Sequence, residues 1–233
     1  MSSPLAGRSV VVTGASSGIG RALARTLVDG GARVVAAARS TEALQALSAE
    51  LGERLVAVPV DVCDATAVER LAATAGAVDA VVNNAGVGSI EPFLASDPAQ
   101  WRRTLDTNLI GALLVARLFL PGMLDAGRGV IINVGSASAS GWPYLTLYAA
   151  SKAALLTAST ALDREYAGRG VRVEYLEVGP TAGTGFAAHS DPAHLPQARE
   201  AWSALGIPWC TDVATAEASA GLIRAALERG LRG

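Results

Sequence analysis

The chain has 233 residues, is 51% hydrophobic and 17% charged, and carries a formal net charge of −2. That size and apolar content suit one α/β domain over 1–233 with a large core, and the charge offers no basic field for nucleic acid. The longest apolar run, Leu109 to Leu120, is broken by Arg117 and is shorter than the ~18 residues of a membrane span, so no membrane partner is expected.

The N-terminus lacks the apolar segment of a secretion signal. The cysteines, Cys63 and Cys210, suggest reduced thiols in a cytoplasmic protein rather than a disulfide framework. His189 and His194 share one loop and are weak metal candidates, so no metal site is assigned.

Ser9 to Thr13 is a short β-branched run and reads as a buried parallel strand. It leads into Gly14-Ala15-Ser16-Ser17-Gly18-Ile19-Gly20 and then a helical pattern from Arg21 to Asp29. Strand, glycine turn and helix together make a phosphate-binding turn credible, because glycines admit a pyrophosphate and the helix offers free N–H groups. A second strand, Arg33 to Ala38, ends in Arg39 and Ser40. An acid at this point would hold the ribose 2′-hydroxyl of NAD(H). A guanidinium suits the 2′-phosphate of NADP(H) instead.

A helix over Thr41 to Leu51 precedes a third strand, Leu55 to Val60, with Asp61-Val62 at its end. The polar side chain of Asp61 at that strand end is placed to touch adenine, although Asp61 or Asp64 also suits the N-cap of a helix over Ala65 to Ala75. A fourth strand, Asp79 to Val82, opens into Asn83-Asn84-Ala85-Gly86, which can turn the chain or face a cofactor. Trp101 to Leu120 reads as one helix, interrupted near the buried amide of Asn108 and ended by Pro121. The fifth strand, Val130 to Val134, places Ser136 at its carboxyl end, where α/β sheets bind ligands. A sixth strand, Val171 to Val178, precedes an irregular stretch to Thr211 that suits a substrate loop over about 180–211. A last helix is expected over Asp212 to Leu227, capped by Thr211 or Asp212.

Tyr148 and Lys152 lie four apart in a helical run from Tyr148 to about Leu162, so both leave one face. Lys152 is the only lysine in the chain, which otherwise uses arginine as its cation. A neighbouring ammonium favours a phenolate, and a phenol so tuned exchanges a proton with a carbonyl or alcohol oxygen.

In this order the motifs resemble the ordinary branch of the short-chain dehydrogenase/reductase family. The likeness rests on the glycine turn, Asp61-Val62, Asn83-Asn84-Ala85-Gly86, Asn108 in Asp106-Thr107-Asn108-Leu109, Ser136 and Tyr148-Ala149-Ala150-Ser151-Lys152. It implies a Rossmann-type doubly wound parallel sheet, here of six strands because the family's last strand is missing. It implies Tyr148 as general acid/base, Ser136 as hydrogen-bond partner of the substrate oxygen, and Lys152 as nicotinamide-ribose ligand. Asn108 is implied to hold a relay water. Gly14, Ser16, Ser17, Gly18, Ile19 and Gly20 are implied at the pyrophosphate, Arg39 at the 2′-phosphate, and Asp61 and Val62 at the adenine. Asn83, Ala85, Gly86, Gly179 and Thr181 complete the cofactor site, and a homodimer or homotetramer is implied. Val178-Gly179 replaces the usual Pro-Gly, and Ser16 and Ser17 stand where many NADP-preferring members keep a basic residue.

The function expected is NADP(H)-dependent hydride transfer between nicotinamide and a carbonyl or secondary alcohol. A non-catalytic NADP-binding sensor or scaffold is the alternative, and an epimerase or dehydratase a third. Trp142, Tyr144, Phe186 and Trp202 suggest an apolar or aromatic pocket.

Overall fold

Residue alternation along the strands builds two cores back to back. In the computed structural model, which describes residues 3–186, 190–209 and 213–232, the strands are β1 (Ser9–Thr13), β2 (Arg33–Ala38), β3 (Leu55–Pro59), β4 (Ala80–Asn83), β5 (Gly129–Val134) and β6 (Val171–Leu176). They form one parallel sheet in the order β3-β2-β1-β4-β5-β6. Val10, Val12, Val34, Ala36, Val82 and Ile132 face one side, whereas Val11, Val35, Val81 and Ile131 face the other. Both faces are covered over the central strands, which explains why β1, β4 and β5 read as almost continuous apolar runs.

The helices are α1 (Gly18–Asp29), α2 (Thr41–Leu51), α3 (Ala65–Ala75), α4 (Pro98–Leu105), α5 (Ala112–Asp125), α6 (Thr146–Glu165), α7 (Leu195–Ala204) and α8 (Ala216–Gly230). α1, α2 and α8 cover the first face through Leu23, Leu27, Leu44, Leu47, Ile223 and Leu227. α3 and α5 cover the second through Val68, Leu71, Val115 and Phe119. Each such fully buried aliphatic or aromatic side chain contributes roughly 1.5–3 kcal/mol. The strand order reverses between β1 and β4, and the cleft opens at the carboxyl ends of the strands there.

Several element boundaries differ from the sequence expectation. α1 takes in Gly18, Ile19 and Gly20. Asp64, not Asp61, caps α3 by accepting from Thr66 and Ala67 N–H at 2.9 and 3.2 Å. α4, a wide six-residue π-turn over Asp106–Gly111, and α5 run as one helix over Pro98–Asp125. Pro121 is exposed within it and does not stop it, and Arg117, whose carbonyl loses its helical donor, is an exposed residue as well. By length and composition this helix could cross a membrane, yet its apolar residues Val115, Ala116, Phe119 and Met123 pack against the sheet. The stretch expected to be irregular contains α7, whose Ala198 and Trp202 are fully buried. α8 begins at Ala216, with Thr215 accepting from Ala218 N–H at 3.1 Å. His189, Cys210, Thr211 and Asp212 lie outside the described residues.

Candidate active site

The glycine turn after β1 is shaped for close approach. Gly14 and Gly18 have φ of 67° and 50°, a region that side chains with a Cβ rarely enter. A Cβ on Gly14 would meet the Ala85 backbone at 2.9 Å, and one on Gly20 would strike the Gly14 carbonyl. Gly20 therefore lets α1 close onto the turn without itself lining the cleft. Gly14, Ser16, Ser17, Gly18 and Ile19 do line it. α2, α3, α4 and α8 each have a side-chain N-cap, but Ser17 at the start of α1 makes no capping hydrogen bond. The first N–H groups of α1 are thus free for an anionic group in the cleft. These features fit a dinucleotide pyrophosphate.

Arg39 is exposed on the cleft rim and enters none of the ion pairs among the described residues. Asp61 and Val62 line the same end. The Asp61 carboxylate accepts from Cys63 N–H at 3.0 Å, which fixes the turn after β3. Ala85, Gly86, Gly179 and Thr181 also line the cleft, and the Thr181 hydroxyl pairs with that of Ser219 at 2.8 Å.

Asn83 sits apart from the cleft. It is 3% exposed, does not line the cleft, and donates to the Ala112 carbonyl at 3.0 Å and the Asn133 amide oxygen at 2.8 Å. Strand alternation sends it to the α5 side of the sheet. Asn84 is the residue on the cleft side, and donates to the carbonyls of Thr13 and Gly14 at 3.0 and 3.3 Å. The Thr13 hydroxyl accepts from Asn84 and Ala85 N–H, both at 3.0 Å, so β1 and β4 are tied at the cleft floor.

Asn108 is also buried behind the cleft wall. Its amide oxygen accepts from Val87 N–H at 2.8 Å, and its amide nitrogen donates to the Val87 carbonyl at 2.9 Å and the Ser151 hydroxyl at 3.0 Å. The side chain thereby fastens the segment after β4 to α6. The π-turn makes the local widening that the sequence showed only as an interruption.

Ser136, Tyr148 and Lys152 converge on the cleft. The Lys152 ammonium is buried, donates to the Val134 carbonyl at 2.7 Å, and stands 5.7 Å from the Tyr148 ring centre. Burial brings its pKa down to about 8. The hydroxyl end of Tyr148 is enclosed, and desolvation pushes this phenol up to about 12, against a lowering by the Ser136 hydroxyl. The expected acidification by Lys152 is therefore not realised in this state. Desolvation wins, and the ammonium is turned to a backbone carbonyl.

Phe186 stands edge-on to Tyr148, with ring centres 4.6 Å apart, and helps enclose it. Trp142, Leu145 and Trp209 join it on the wall of a cleft of about 430 Å³. Tyr144 and Trp202 do not line the cleft. Trp202 is fully buried beneath it, and its indole donates to the Pro143 carbonyl at 2.8 Å. Trp209 could not be told from a packing residue by sequence, since it follows α7 in a stretch without periodicity.

The profile described as short chain dehydrogenase matches residues 8–194. The NADP-dependent 3-hydroxy acid dehydrogenase YdfG of Escherichia coli (strain K12) is 38% identical over 184 residues, covering 76% of this chain and 74% of that protein. Galactitol 2-dehydrogenase (L-tagatose-forming) of Cereibacter sphaeroides is 39% identical over 185 residues, covering 76% of this chain and 73% of that one. Among solved structures, the closed form of serine dehydrogenase complexed with NADP+ superposes with a TM-score of 0.81 at 32% identity, over 92% of this chain and 87% of that one.

Proposed function

We propose that this chain, which belongs to the short-chain dehydrogenase/reductase family, is an NADP(H)-dependent oxidoreductase acting on a carbonyl or secondary alcohol. The observation that carries the proposal is the meeting of Ser136, Tyr148 and Lys152 in the cleft that the glycine turn opens. The free N–H groups of α1 would hold the pyrophosphate, Arg39 the 2′-phosphate, and Asp61 and Val62 the adenine end, all of them at the cleft. Ala85, Gly86 and Lys152 would hold the nicotinamide side. When bound, the cofactor supplies or accepts hydride.

Tyr148 gives the proton to the substrate oxygen in reduction and takes it back in oxidation. Ser136 donates a hydrogen bond to that oxygen and holds it against the phenol. Phe186 and the tryptophans exclude water, so these polar contacts act in a low-dielectric pocket. The substrate end offers Val87, Trp142, Leu145, Phe186 and Trp209, and among the described residues there the cation is Lys152 at its floor. That lining favours a neutral carbonyl compound with an apolar or aromatic substituent over a carboxylate.

The alternative, a non-catalytic NADP-binding sensor, draws support from the Phe186 ring packed edge-on against the Tyr148 phenol. A panel of neutral aromatic, neutral aliphatic and acidic carbonyl compounds, each tested with NADPH and NADH, separates the two. Oxidation of NADPH with neutral aromatic ketones or aldehydes is expected. Tight NADPH binding with no turnover across the panel would favour the sensor.

A further inference from the structure

The backbone of Ser136 lies where the sheet runs out. β4 ends at Asn83, opposite Asn133 of β5. Beyond that point the chain pairs on one side only, with Gly135 N–H bonded to the Leu176 carbonyl at 2.7 Å and Ala137 N–H to the Val178 carbonyl at 3.3 Å. Successive residues of an extended chain aim their N–H and C=O groups in opposite directions, so Ser136 points its own pair to the side that β4 has left. Tyr175 of β6 fills that place. Its hydroxyl accepts from Ser136 N–H at 2.9 Å and donates to the Ser136 carbonyl at 3.2 Å. One side chain therefore satisfies both backbone groups of one residue.

The ring is part of the same arrangement. A Cβ on Gly135 would run into the Tyr175 ring, so a glycine there is what lets the ring lie along the strand end. The Ser136 side chain is braced from the other direction: its hydroxyl accepts from Ser138 N–H at 3.2 Å and lies 2.9 Å from the Ser138 hydroxyl. Tyr175 does not line the cleft, so it has no direct access to a substrate there.

We infer that Tyr175 is a positioning residue, a clamp that fixes the Ser136 backbone so that its hydroxyl meets the substrate oxygen beside Tyr148. The inference rests on the proposed oxidoreductase function for its kinetic consequence, but its structural content is independent of it. A hydroxyl displaced by a fraction of an ångström costs rate rather than cofactor affinity.

The test uses Tyr175→Phe, which keeps the ring beside Gly135 and removes only the hydroxyl, together with Ser136→Ala and the double variant. Tyr175→Phe is expected to lower kcat roughly ten- to a hundredfold while leaving the NADPH dissociation constant unchanged. In the Ser136→Ala background the same change is expected to cost nothing further, because there is no hydroxyl left to position. An equal loss in both backgrounds, or wild-type kcat in Tyr175→Phe, would overturn the clamp. Hydrogen exchange of the Ser136 amide keeps this separate from the functional reading. Faster exchange at Ser136 in Tyr175→Phe supports the clamp even if the wild-type protein turns over no carbonyl in the panel; unchanged exchange overturns it whatever the turnover.

Discussion

Lys152 and Tyr148 leave the same face of α6, yet the ammonium bonds to the Val134 carbonyl at 2.7 Å and stands 5.7 Å from the Tyr148 ring centre. Burial dominates both groups, bringing the lysine to about 8 and the phenol to about 12. A buried ammonium with one backbone acceptor is costly to the fold.

That cost predicts a pH signature. The native lysine releases its proton near pH 8, and the unfolded one near 10.5. Between those values the unfolded chain binds more protons, so stability rises with pH. Lys152→Met is therefore expected to stabilise the nucleotide-free protein by about 2 kcal/mol at pH 7, after the lost Val134 bond is counted. The gain should shrink as pH passes from 8 to 10.5. Above 10, the raised phenol makes both proteins lose stability, since the unfolded tyrosine ionises first. Thermal melts from pH 6 to 11 check this, and a pH-independent gain would contradict it.

Arg39 is exposed on the cleft rim and is the residue proposed to read the 2′-phosphate. Arg39→Asp removes a charge-assisted partner and adds a repelling one, so NADPH affinity should fall by roughly ten- to a hundredfold. NADH affinity should hardly move. Fluorescence titration with both nucleotides decides it, and equal losses would remove Arg39 from cofactor selection.

Asn83 gives a prediction of the opposite kind. Its two donated bonds, to Ala112 and Asn133, are internal to the sheet and α5. Asn83→Ala is expected to destabilise the protein by about 1–3 kcal/mol, because buried partners are left unsatisfied. The folded variant should bind NADPH with wild-type affinity. A selective loss of affinity at unchanged stability would return Asn83 to the cofactor site.

The sheet was legible because β1, β2, β4 and β5 are buried parallel strands, and their apolar runs say so directly. The glycine turn was legible because strand, glycines and helix stand adjacent in sequence. The choice between Asn83 and Asn84 was not, since it depends on which residue begins the turn after β4, a matter of one position. α7 escaped because two buried residues four apart, Ala198 and Trp202, give too short a period to recognise. Tyr175 escaped for a different reason. Its partner Ser136 is 39 positions away, and nothing local in β6 marks a side chain that replaces an absent strand. Desolvation of Tyr148 was likewise hidden, because Phe186 reaches it only through the tertiary fold.

In the proposed reaction the Tyr148 hydroxyl exchanges the proton during hydride transfer. Single-turnover oxidation of bound NADPH by a neutral aromatic ketone, compared between wild type and Tyr148→Phe, tests it most directly. A fall of roughly 10²- to 10⁴-fold in rate is expected, with nucleotide affinity unchanged. A Tyr148→Phe protein that transfers hydride at the wild-type rate would contradict it.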